Sequence, residues 1–82
     1  MEKIEFYSKE GELVSEVPVS EELCRELLSL PESEALMEVA LNLSLLLKRE
    51  YGMEISPAGI LKELDRVVIC GKEIKVEGGN PA

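Results

Sequence analysis

Residues 33–51, SEALMEVALNLSLLLKREY, form the longest strongly periodic stretch of the chain. At 3.6 residues per turn this segment predicts an α-helix of about five turns. Leu36, Val39, Ala40, Leu43, Leu46 and Leu47 share one broad face, wide enough to carry a domain core. Glu34, Glu38, Asn42 and Arg49 make only a narrow polar strip opposite. Met37, Leu41 and Leu45, at i, i+4 and i+8, fall beside or within that strip, where a surface helix is normally polar. The helix is therefore apolar on more than one side. A small domain gains burial by covering such a second face with another chain.

Working outward from this helix, Gly52 supplies its stop after a basic last turn of Lys48 and Arg49. Ser56-Pro57 then reads as an N-cap with proline at the first helical position, opening a short helix over about 57–64 in which Ile60, Leu61 and Leu64 are set for burial. On the other side, Ser20 caps a first helix with Glu21 and Glu22 in its first turn, and Pro31 breaks it. Leu23, Leu27 and Leu30 line that helix, flanked by Cys24 and Leu28.

Both ends of the chain read as β-hairpins. Lys3–Tyr7 and Glu12–Val19 are strands joined through Lys9-Glu10-Gly11. A two-residue loop would set Phe6 and Ile4 against Leu13 and Ser15, the favoured register because it gives one apolar face; a glycine bulge would pair Phe6 with Val14 instead. Pro18 marks a strand end or a sheet edge. In the second hairpin, over residues 66–76, a Gly71-Lys72 loop would place Ile69 opposite Ile74, Val67 opposite Val76 and Arg66 opposite Glu77. The resulting ββαααββ order predicts an α+β fold: an antiparallel sheet from two hairpins with helices packed on one face. Residues 1–77 are expected to make one domain, and 78–82 a flexible tail.

Composition narrows the function classes. The 82 residues carry a net charge of −8. All of that excess lies in residues 1–38, where eleven Glu face Lys3, Lys9 and Arg25; residues 39–82 balance six acids with six bases. Such a half repels phosphate backbones and anionic membranes, and leaves solubility or a basic protein partner as its uses. Glu21, Glu22 and Glu26 form its most concentrated helical patch. With one Asp and no calcium-loop pattern, this trio reads as a solvated face. No apolar run approaches a membrane span, and MEKIEF lacks a signal peptide's basic start and apolar core. A cytoplasmic protein is expected. Gln, Thr, His and Trp are absent and the charges are mostly Glu and Lys, a composition seen in hyperthermophiles.

The lack of histidine removes Ser–His–Asp and Cys–His catalysis as well as histidine metal sites. Cys24 and Cys70 alone cannot close a structural zinc site, and they read first as buried free thiols, with a disulfide as the alternative. No enzyme, cofactor or metal is expected on these grounds.

Two resemblances remain. A strand ending in Gly78-Gly79, after an opening hairpin and helix, resembles the ubiquitin-like sulfur carriers and modifiers. That likeness implies a working C-terminal glycine, Gly79, exposed by removal of Asn80-Pro81-Ala82; three successive helices depart from the simple ββαββ order. The stretch 48–66, KREYGMEISPAGILKELDR, resembles a helix-turn-helix followed by a wing. Its second helix pairs Lys62 and Arg66 with Glu63 and Asp65, which leaves no basic or amide cluster for bases. The reading that uses most of these features is a non-catalytic interaction or regulatory module, a homodimer through Met37, Leu41 and Leu45.

Overall fold

A computed structural model describes residues 2–76. The elements follow as β1 (Glu2–Ser8), β2 (Leu13–Val19), α1 (Glu21–Leu28), α2 (Glu32–Tyr51), α3 (Pro57–Lys62), β3 (Leu64–Ile69) and β4 (Lys72–Lys75). The four strands form one antiparallel sheet in the order β2-β1-β3-β4. The α+β architecture and the ββαααββ order are as the sequence predicts, and the assigned tail, with Gly78 and Gly79, lies outside the described residues.

Helix signals act where they are written. The Ser20 hydroxyl accepts from the Leu23 amide at 3.1 Å, and Ser56 accepts from the Gly59 amide at 3.0 Å. Gly52 closes α2 in the left-handed region at φ 69°, with its amide donating to Lys48 C=O and that of Met53 to Leu47 C=O. Helix α2 begins at Glu32, one residue before the predicted stretch, with Pro31 at its N-cap position. Helix α3 stops at Lys62, and Leu64, expected on that helix, opens β3. The shift still buries Leu64, now from the sheet.

Both hairpin registers differ from expectation. In the first, Ser8 pairs with Glu12 around Lys9-Glu10-Gly11, Gly11 takes φ 85°, and Tyr7 faces Leu13. That is the glycine-loop register, and carried further it would turn Val14 and Glu16 toward the helices. A bulge beyond Tyr7 resets it, so Phe6 faces Ser15 and Ile4 faces Val17. Burying Glu16 costs more than one unpaired residue in a strand, so the bulge wins. Its consequence is that Leu13 and Val14 are exposed. In the second hairpin the loop is Cys70-Gly71, at φ 52° and 89°, the doubly positive pair that a type I′ turn requires. Val67 therefore faces Ile74, and Arg66 faces Lys75. The slip is two residues, so every side chain keeps its predicted face.

The core lies between α2 and the sheet. Phe6, Val67 and Ile69 meet Ala35, Val39 and Ala40, all at or below 1 % exposure, in one continuous cluster that includes Leu27 of α1 and Ile60 of α3. No charged or polar side chain is buried among the described residues. The sheet's other face is open and paired by charge: Lys3 reaches Glu16 at 2.9 Å and Glu5 at 3.4 Å. Arg66 stacks 4.1 Å from the Tyr7 ring centroid, 3.6 Å from Glu73 and 3.8 Å from Asp65. Hydrogen bonding and attraction from Glu16, then from Glu5, raise the Lys3 pKa above its ordinary value.

Strand β2 is an edge. Lys3 C=O accepts from the Cys70 amide, so Lys3 turns its backbone toward β3. Its β2 partner Pro18 therefore points its nitrogen outward, where the missing N–H breaks no ladder bond.

Candidate functional site: the outer face of the long helix

The core-facing side of α2 is set by Ala35, Leu36, Val39, Ala40 and Leu43, all buried. Helical geometry places Met37, Leu41 and Leu45 on the side directly opposite. They are 49 %, 42 % and 57 % exposed, respectively. Neither α1 nor α3 covers them. Ser44, at the edge of this stripe, donates its hydroxyl to the Ile55 carbonyl, which ties the segment after α2 to the flank of the helix.

Charges bracket the stripe in a defined order. Glu34 stands at its N-terminal end, Lys48 at its C-terminal end, and Leu41 midway between them. Residues 34, 37, 41, 45 and 48 follow one another at spacings of three, four, four and three, so all five share one side of the helix and the pattern is symmetric about Leu41. Glu34 makes no ion pair among the described residues, and Lys48 makes only an exposed one, to Glu54 at 3.4 Å. Read backwards from Leu41, the face has the same spacing with opposite charge at the end. A second copy laid antiparallel would set Leu41 on Leu41, Met37 on Leu45 and Glu34 on Lys48. An isologous two-fold contact requires this self-complementarity.

Leu45 also borders a groove of about 340 Å³ between α2 and the edge strand, with Val17, Val19, Leu23 and Leu46 in its walls. A second groove of about 570 Å³, lined by Val14, Tyr51, Met53 and Ile60, opens where the first hairpin meets α3. Both are open and apolar, and neither gathers a charged group into an enclosed space.

The other residues singled out in the sequence are dispersed. Glu21, Glu22 and Glu26 are exposed on α1, and none makes an ion pair among the described residues. Cys24 and Cys70 are joined in a disulfide with Cα atoms 6.0 Å apart, which corrects the free-thiol expectation. The reason is geometric. The type I′ turn brings Cys70 to the end of the sheet beside α1, within ordinary bridging range of Cys24. The sequence signal was present in Cys70-Gly71, which takes the positions of the Asn-Gly pair common in such turns. The stretch resembling a helix-turn-helix has a second helix of only six residues, Pro57–Lys62. No helix of the described residues is long and apolar enough to cross a membrane.

Comparison of the chain with protein-family models, with curated proteins and with solved structures found no match in any of the three.

Proposed function

We propose that this protein is a small non-catalytic interaction module that works as a homodimer, two α2 helices packing antiparallel through Met37, Leu41 and Leu45. The observation that carries the reading is the charge order of the stripe: acid at position 34, base at position 48, apolar between. An apolar strip alone fits many partners. An apolar strip whose end charges reverse under a two-fold rotation about Leu41 fits a copy of itself. The open sheet face, already paired in charge within the chain, offers no comparable apolar surface. The acidic trio on α1 stays outside the proposed contact and is available to a basic partner of the dimer.

Mass by light scattering tests the reading. The unaltered chain is expected to run as a dimer and Leu41→Glu as a folded monomer, because the change sets two carboxylates against each other at the two-fold axis. Charge reversal tests the register. Glu34→Lys and Lys48→Glu should each weaken the dimer by about 1–2 kcal/mol, a 5- to 30-fold change in dissociation constant. The double reversal should recover most of that loss. A dimer unmoved by Leu41→Glu, or single reversals that the double variant does not rescue, would overturn the antiparallel seam.

A further inference from the structure

Cys24 and Cys70 do not stand alone. A carboxylate oxygen of Glu2, at the start of β1, lies with both sulfurs in a cluster whose ligand atoms are all within 4.8 Å of one another. Three separate elements converge there: β1 brings Glu2, α1 brings Cys24 and the β3–β4 turn brings Cys70. They line a small recess of about 230 Å³ that is open to solvent and also bordered by Glu21 and Arg25.

We propose that the cysteine pair has two states: a disulfide when oxidised, and, when reduced, a three-ligand site for a soft divalent cation of the zinc class held by Cys24, Cys70 and Glu2. A disulfide that served only as a staple would need no third ligand. The carboxylate is also badly placed for thiol chemistry. Its negative charge repels the thiolate that such chemistry needs. The same charge favours a bound cation. Two thiolates and one carboxylate are a donor set suited to zinc, with a position left for water. Tetrahedral zinc holds two thiolate sulfurs about 3.7 Å apart, a separation that cleavage of the S–S bond permits.

The steps balance. A thiolate of a dithiol reductant attacks one cystine sulfur and forms a mixed disulfide; its second thiol displaces the protein and leaves as a cyclic disulfide. Two electrons and two protons pass to Cys24 and Cys70. The cation then displaces both thiol protons, and Glu2 supplies a carboxylate oxygen as the third ligand.

Cadmium reports on the site directly, through its thiolate-to-metal charge-transfer band in the ultraviolet. The full chain is reduced, freed of reductant without air, and titrated with Cd²⁺ alone. The band should saturate at one cation per chain, be absent in the oxidised protein, and vanish in Cys70→Ser. Glu2→Gln, which keeps both thiols, should bind about tenfold more weakly or worse. Circular dichroism on the same samples reports whether the reduced chain is folded. No band in the reduced protein, saturation at one cation per two chains, affinity indifferent to Glu2→Gln, or a reduced chain that stays unfolded with the metal added would each overturn the site.

Discussion

Gly59 shows how one residue can be chosen for what it lacks. It sits in α3, where glycine is about 1 kcal/mol worse than alanine. A Cβ at this position would lie 3.2 Å from Ser56 Oγ and 3.3 Å from Ile55 Cγ2. The Ser56 hydroxyl cannot retreat freely, because it caps α3 by accepting from the Gly59 amide itself. Crowding a capped and packed turn typically costs more than the propensity gained. Gly59→Ala should therefore lower stability by about 1 kcal/mol, against the usual direction of that substitution in a helix, read as a fall of about 4–8 °C in Tm. Single residues of this kind were the most legible part of the chain. Ser20, Ser56-Pro57 and Gly52 act through their own backbone and side chains, so a local reading finds them. Gly59 was legible only as a weakness, since the atoms that exclude a side chain there are known only once α3 has folded against the end of α2.

At the scale of elements, legibility depended on whether a neighbour had to be known. In β2 Leu13 leaves the predicted apolar face to pair with Tyr7, whereas helix α2 and the faces of β1, β3 and β4 follow from periodicity. The registers do not, because each is settled by a competition: in the first hairpin the glycine loop sets one pairing near the turn, and the need to keep Glu16 outside forces a bulge to set another. The exposure of Met37, Leu41 and Leu45 depends likewise on where α1 and α3 finally lie. The Cys24–Cys70 bond joins α1 to the β3–β4 turn across a sequence separation of 46. Closing a loop of that length in the unfolded chain is worth about 4 kcal/mol on chain-entropy grounds. Thermal unfolding with and without a reductant checks this: the reduced protein should melt lower by on the order of 20 °C. A shift of only a few degrees would mean that the α1 contacts hold the turn without the bond.

For the whole molecule the governing quantity is its charge. The fold has a radius of gyration of 12.0 Å and carries −8. At about 0.01 M salt the screening length is about 30 Å, so two approaching copies repel as whole bodies; near physiological ionic strength it is about 8 Å and only adjacent groups interact. The two Glu34–Lys48 contacts of the proposed dimer are exposed and individually weak. Net repulsion should therefore prevail, and the dimer should tighten as salt is raised from low to physiological strength, measured by sedimentation equilibrium. Loosening instead would mean that the end charges carry the contact and the apolar stripe little of it. Pro18 bears on what happens after two copies have met. The proposed seam leaves the sheet borders free, and a free border is where chains add to one another without limit. Along β2 the outward-turned position at Pro18 offers no donor hydrogen, and at the opposite border β4 is four residues long with lysine at both ends. Both borders are poor templates for a further strand along their whole length, so the proposed assembly should end at a closed pair. Even a concentrated stock of this protein should stay free of fibrils.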